Sequence, residues 1–193
     1  MTINGMESSR VRYVFLDRDG VLNRKQPEGA YVTDWSQFQW LPGAVEAIAR
    51  INRAGMTVMV VSNQRGIALG RFTEAQLELI HGNMRTHLAQ HGARLDAIYY
   101  CPHDIGACHC RKPDIGLFEQ ARQDFPEVSA RNSVVIGDSL SDIQAGHRFG
   151  MKTIFIHGEA DRQKAGANVA EESADAVAGS LLQAVELHLG LID

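Results

Sequence analysis

The chain has 193 residues, 45% of them apolar and 22% charged, with a formal net charge of −4. That balance suits one compact domain with a sizeable core and excludes a disordered chain. It also gives no general attraction to nucleic acid or an anionic membrane, and no run approaches the roughly 18 apolar residues of a membrane helix. With no secretory h-region at the N-terminus, the expectation is a soluble, cytoplasmic, monomeric protein that binds neither nucleic acid nor membrane.

Taken in chain order, the first ten residues are polar (MTINGMESSR), and residues 1–11 are expected to form a flexible extension to a single domain over 12–193. A strand is predicted over 12–16 (RYVFL). The stretch 41–55 (LPGAVEAIARINRAG) predicts a helix, with Pro42 suited to its first turn and Gly55 to its stop. A second strand follows over 57–61 (TVMVV), then a helix over 73–92 with Thr73 and Gln76 at capping-box spacing and Gly92 at its end. Strands over 97–100 (AIYY) and 133–137 (SVVIG) precede a short helix over 141–150 closed by Gly150. A strand over 153–156 (TIFI) and a helix over 180–190 complete the pattern.

The strand runs are continuously apolar, as parallel strands covered on both faces must be. Strands alternating with helices imply right-handed crossovers and an α/β fold with a doubly wound parallel sheet. Ligands of such sheets bind beyond the carboxyl ends of the strands, so those ends decide the function.

Four of the ends carry polar groups. After the first strand come Asp17 and Asp19, two positions apart, followed by Gly20, which lets the backbone turn away at once. After the second come Ser62, Asn63 and Gln64, with Arg65 beside them; Arg111 and Lys112 lie on the long loop after the third. The fourth delivers Asp138, Ser139 and Asp142. Each alone reads as a turn, a cap or a solvated charge. Several carboxylates converging at one sheet edge instead call for a hard divalent cation, Mg²⁺ by default, and the cationic and amide groups beside them suit a phosphate dianion.

These segments carry a resemblance. FLDRDGVLN, VVSNQ, RKP and GDSLSD, in that order across about residues 12–156, resemble the four motifs of the haloacid dehalogenase-like (HAD) phosphohydrolases. GIALGRFTEAQ, YYCPH and CHCRKP are similar to the D-glycero-D-manno-heptose-1,7-bisphosphate 7-phosphatases, with histidinol-phosphate phosphatases as near relatives. The resemblance implies a Rossmann-like HAD fold and a Mg²⁺-dependent phosphomonoester hydrolase acting on a small phosphorylated metabolite. It makes Asp17 the nucleophile, Asp19 the acid/base, and Asp17, the Asp19 carbonyl and Asp138 the Mg²⁺ ligands. Ser62 and Asn63 then bind phosphate, Lys112 pairs with nucleophile and phosphate, and Arg111 touches the substrate. The heptose 1,7-bisphosphate, losing its 7-phosphate, is the expected substrate, and histidinol phosphate the alternative. One departure is Ser139, which follows Asp138 where the heptose enzymes often carry Lys.

All three cysteines cluster with a histidine as C-x-H-x₄-C-x-C: Cys101, His103, Cys108 and Cys110. Three thiolates and one imidazole make a closed tetrahedral Zn²⁺ set, structural because no position is left open. His109 is the other imidazole available, cramped between two ligands. Such a zinc-stapled loop would carry Arg111 and Lys112 to the phosphate.

The predicted core elements leave no room for a separate cap domain, only loops over about 24–40, 64–72 and 101–112. The first offers Glu28 and Tyr31 to a substrate, while Trp35 and Trp40 read as packing residues. Arg65 suits a second phosphate or a solvated surface equally well. Two other classes fit less: a phosphotransfer receiver has no use for Asp19 or the zinc loop, and a zinc-stapled nucleic-acid module needs a basic surface.

Overall fold

The computed structural model describes residues 11–158, 163 and 165–192. The expected flexible extension over 1–11 therefore lies, Val11 aside, outside the described residues. Among the described residues no helix is long and apolar enough to cross a membrane.

Six strands form the sheet: β1 (Tyr13–Leu16), β2 (Thr57–Asn63), β3 (Ala97–Cys101), β4 (Ser133–Gly137), β5 (Lys152–Ile156) and β6 (Ala176–Ala178). Among the described residues six α-helices flank them: α1 (Ala44–Arg53), α2 (Glu74–Gln90), α3 (Gly116–Asp124), α4 (Leu140–Phe149), α5 (Ala167–Ser173) and α6 (Leu181–Leu189). Every pairing is parallel and the strand order is β3-β2-β1-β4-β5-β6. The doubly wound reading therefore holds, and the order reverses between β1 and β4. That pair is the topological switch point, where the crossover loops diverge and leave a crevice.

Side-chain alternation divides the core in two. Val14, Leu16, Val58, Val60, Val134 and Ile136 face one layer with α1 and α6. Tyr13, Phe15, Met59, Val61 and Val135 face the other, where Leu117, Phe118 and Ala121 of α3 cover them. With both faces buried, the strands cannot alternate polar with apolar residues, which explains the continuous runs.

Details depart from the sequence pattern. The helix expected to use Pro42 in its first turn begins at Ala44, with Gly43 at its N-cap in a left-handed conformation (φ 75°), so Pro42 sits in the preceding turn. Three elements have no counterpart among the predicted ones. α3 has nine residues and no side-chain cap, α5 has seven, and β6 is a three-residue edge strand. Each is too short for periodicity to show, and each forms because the sheet offers it an apolar surface. The capping box of α2 is present, with the Thr73 hydroxyl accepting from Gln76 N at 3.2 Å and the Gln76 side chain accepting from Thr73 N at 2.9 Å.

No separate cap domain stands over the sheet among the described residues. Between β1 and α1 the chain makes only a 3₁₀ turn at Trp35–Gln37. There Trp35 stacks on Phe38 at 4.9 Å and Trp40 meets Phe38 edge-on at 5.0 Å, so both indoles are packing residues.

Candidate active site

Register sets the geometry. Leu16 lies opposite Val60 on one side and Ile136 on the other. The next residue along β1 is Asp17, whose N–H still donates to the Ile136 carbonyl at 3.0 Å. Asp17 is thus flanked by the ends of β2 and β4, and Asp138 follows one residue beyond. The oxygens of Asp17, Asp138 and Asp142 gather within 4.8 Å of one another, all buried.

Lys112 is the charge that makes this grouping tolerable. Its buried ammonium reaches Asp17 Oδ1 at 3.0 Å and Asp142 Oδ1 at 2.5 Å, and donates to the Val61 carbonyl at 2.6 Å. Burial pushes the Lys112 pKa down, but Asp142 and then Asp17 overturn that and hold it above the ordinary lysine value. Asp142 is occupied on its other side, where Oδ2 accepts from the Ser139 backbone at 3.0 Å and hydroxyl at 2.5 Å. Ser139 and Asp142 thus cap α4 and fix Lys112.

Asp19, half-buried, has a separate set of partners. Arg18 Nη2 donates to both its oxygens at 3.1 and 2.9 Å, Asn23 Nδ2 at 2.9 Å and Gln64 Nε2 at 3.0 Å. Burial pushes the Asp19 carboxyl up, yet the Arg18 guanidinium and the hydrogen bonds from Asn23, Arg18 and Gln64 outweigh it and hold the group below its ordinary value. The intervening turn is tight: the Arg18 carbonyl accepts from Leu22 N at 2.8 Å and Asn23 N at 3.1 Å. Gly20, at φ +100°, passes so close to Asp138 that an added Cβ would sit 2.2 Å from its Oδ2. Here glycine is a steric requirement of the site.

The remaining expected residues fall into two sets. Gln64 donates to the Ser62 hydroxyl at 2.7 Å, both buried beneath Asp19. Asn63 spends its amide on the backbone of Lys112, donating to the carbonyl and accepting from the N–H, each at 3.0 Å. In this geometry Asn63 fastens the Lys112 loop. Arg65 Nε pairs with Asp104 Oδ1, so its charge is already matched by the cysteine loop. Arg111 is half-buried, with Nη1 enclosed and without a hydrogen-bond partner among the described residues. Tyr31 lies against Phe72, with ring centroids 6.0 Å apart. Glu28 is exposed and makes no ion pair among the described residues.

Four residues in or behind the site escaped the sequence reading: Arg18, Asn23, Lys25 and His81. Arg18, 1% exposed, sits between two aspartates in a motif that reads as surface-facing. His81, on α2, lies buried behind it; burial, with Arg18 and Arg85 nearby, pushes its imidazole down to about 3, so it is neutral at working pH. Lys25 contacts Asp138 Oδ2.

The cysteine cluster assembles as expected. Cys101 and Cys108 sulfurs are 3.4 Å apart, Cys108 and Cys110 3.2 Å, and His103 Nδ1 lies 3.7 Å from Cys101 and 3.3 Å from Cys110. These four ligand atoms form a closed set suited to a tetrahedral cation. His109 is outside it, and its carbonyl accepts from Gly116 N at 3.2 Å.

Comparison with known proteins agrees with this architecture. Residues 109–184 match the HAD-hydrolase-like family model. The chain is 40% identical over 135 residues to the D-glycero-alpha-D-manno-heptose-1,7-bisphosphate 7-phosphatase of Mycobacterium bovis, covering 69% of this chain and 70% of that protein. It is 41% identical over 148 residues to the D-glycero-beta-D-manno-heptose-1,7-bisphosphate 7-phosphatase of Vibrio cholerae, covering 72% and 77%. The solved D,D-heptose 1,7-bisphosphate phosphatase of B. bronchiseptica, complexed with magnesium and phosphate, superposes with a TM-score of 0.82 at 34% identity, covering 93% of this chain and 99% of that one. With its carboxylates, lysine and switch-point crevice arranged on the same fold, the chain belongs to the heptose-1,7-bisphosphate 7-phosphatase family of HAD-like hydrolases and is a phosphoric monoester hydrolase.

Proposed function

We propose that the enzyme removes the 7-phosphate of D-glycero-D-manno-heptose 1,7-bisphosphate through an aspartyl-phosphate on Asp17. The observation that carries this reading is the division of labour between two carboxylates on one strand end. Asp17 is held by the buried Lys112, whereas Asp19 is held by a separate network. One is oriented as a nucleophile and the other as a proton carrier.

Asp17 attacks phosphorus and the bond from phosphorus to the sugar oxygen breaks. Asp19 gives its proton to that oxygen. Water then attacks the aspartyl-phosphate, Asp19 takes the water's proton, and inorganic phosphate leaves. The surroundings of Asp19 favour its carboxylate form, which the second step needs; an arriving phosphate dianion raises its pKa toward the form the first step needs. Arg18, Asn23 and Gln64 keep the carboxylate in place through both.

The clustered hard oxygens of Asp17 and Asp138 fit a small divalent cation, and with the Asp19 carbonyl they would hold Mg²⁺. When bound, the cation neutralises charge on the phosphoryl oxygens. The Cys101–His103–Cys108–Cys110 set fits Zn²⁺ and would fix the loop that delivers Lys112. Cys108→Ser should therefore lower zinc content and thermal stability together. It should also reduce kcat, since misplacing a catalytic group by about 1 Å can cost on the order of 10²-fold. Elemental analysis alongside kcat checks this; full zinc loss with unchanged kcat would separate the loop from catalysis.

Arg111, with its enclosed Nη1, remains the side chain best suited to the 1-phosphate, because Arg65 is matched by Asp104. The two curated relatives described differ in anomer, one alpha and one beta. Phosphate release from both anomers of the bisphosphate and from histidinol phosphate, with products identified by phosphorus NMR, tests the assignment. A heptose 1-phosphate product and a higher kcat/KM for a bisphosphate are expected, and Arg111→Ala should raise KM more than Arg65→Ala. A preference for histidinol phosphate would overturn the substrate.

A further inference from the structure

Two loops meet on the β3 side of the crevice. Gln64 N donates to the Cys101 carbonyl at 2.8 Å and Ala68 N to the Pro102 carbonyl at 3.1 Å, so the turn after β2 runs beside the cysteine loop. Across that seam Arg65 Nε donates to Asp104 Oδ1. The same oxygen accepts from Ile105 N at 2.6 Å, which fixes the carboxylate against its own backbone. The Arg111 guanidinium, from the far end of the cysteine loop, acts on the same carboxylate. Two guanidinium groups thus share Asp104, one residue along the chain from Gln64, whose amide touches Asp19.

A carboxylate beside two arginines matters because of what the reaction leaves unchanged. The 1-phosphate is present in substrate and product alike, since only the 7-phosphate departs. Affinity for it is therefore uniform binding: it lowers KM and retains the product to the same extent, without speeding the chemical step. A fixed negative charge at the rim limits that affinity by repelling the dianion. We propose that Asp104 is a specificity-determining residue that weakens the rim's hold on the second phosphate, so that the monophosphate product leaves. This inference rests on the reading of Arg111 as the 1-phosphate contact. The Arg65 and Asp104 side chains are 34% and 46% exposed, so water and salt screen the effect and keep it modest.

The test is steady-state kinetics of Asp104→Asn on the heptose 1,7-bisphosphate, with p-nitrophenyl phosphate as a substrate that has no second anion. Asparagine keeps an oxygen for Ile105 N and Arg65 Nε, so the loop holds its shape while the charge goes. KM for the bisphosphate and the inhibition constant of added heptose 1-phosphate should both fall about three- to tenfold. The ratio of kcat/KM for the bisphosphate to that for p-nitrophenyl phosphate should rise, and the gain should shrink with added salt. Asp104→Glu, which keeps the charge, should stay near wild type. An equal gain with p-nitrophenyl phosphate would mean that Asp104 acts on the phosphate being transferred. A raised KM for the bisphosphate would mean that it serves only to orient Arg65. Either result overturns the proposal, as does no change. Arg111→Ala separates that failure from failure of the reading beneath it. If Arg111→Ala raises KM for the bisphosphate while Asp104→Asn changes nothing, the 1-phosphate contact stands and the role of Asp104 falls. If neither variant shifts that KM, both fall together.

Discussion

Asp17→Asn will abolish turnover while leaving the fold and the cysteine loop intact, the loss being on the order of 10⁶-fold in kcat for an enzyme deprived of its nucleophile. Asparagine is nearly isosteric and can still accept from Lys112 through its amide oxygen, so the 3.0 Å contact and the strand register need not change. What disappears is the anionic oxygen that forms the bond to phosphorus. Asp19→Asn should differ in kind. Its position near Gln64, Asn23 and Arg18 survives, but proton transfer does not, and such a loss costs about 10²–10⁴-fold. The two variants are told apart by rapid quenching with a substrate labelled on phosphorus. Asp17→Asn should form no acid-stable adduct on the protein, while Asp19→Asn should form one slowly and release it slowly, with the deficit greatest for poor leaving groups. If Asp17→Asn retains more than a small percentage of wild-type kcat, the nucleophile is elsewhere.

Lys112→Met should be the most destabilising single substitution in the site. It leaves Asp17 and Asp142 buried with no lysine between them, and breaking a buried pair by removing one partner costs about 3–5 kcal/mol. For a chain of 193 residues that corresponds to a fall of about 10 °C in Tm. The pH dependence carries a definite sign. The folded-state pKa of Lys112 lies above its ordinary value of 10.5, so its contribution is complete below pH 10.5 and is lost as pH rises through the folded-state pKa. The stability difference between wild type and Lys112→Met should therefore be flat between pH 7 and pH 10 and shrink only in stronger alkali. Chemical denaturation across that range measures it. A difference that shrinks between pH 7 and pH 9 would mean the lysine loses its proton far earlier than its two aspartate partners allow.

Much of the fold was legible because its signals are local. A strand buried on both faces is a continuous apolar run wherever it occurs, and β1 through β5 were marked by that property alone. The capping box of α2 and the glycine stops of α1 and α4 are also contained within a few residues. α3, α5 and β6 were missed because their stability comes from the surface they cover, and nothing within seven or nine residues announces it.

The site divides along the same line. Residue types and their order at the strand ends were enough to bring Asp17, Asp19, Lys112, Asp138 and Asp142 into one hypothesis, because parallel strands deliver their carboxyl ends to one edge. The spacing of Cys101, His103, Cys108 and Cys110 likewise carried the cysteine–histidine cluster, whose four side chains come from a single ten-residue stretch. Partner choice was different. Lys112 and Asp17 are 95 residues apart, and Lys25 and Asp138 are 113 apart. That Asn63 clasps the Lys112 backbone, that Asp104 takes Arg65, and that Arg18 turns inward beneath Asp19 were decided only by how the loops close over the sheet. A side chain's type limits what it can bind. Sheet register and loop packing determine which partner stands within about 3 Å when the chain has folded.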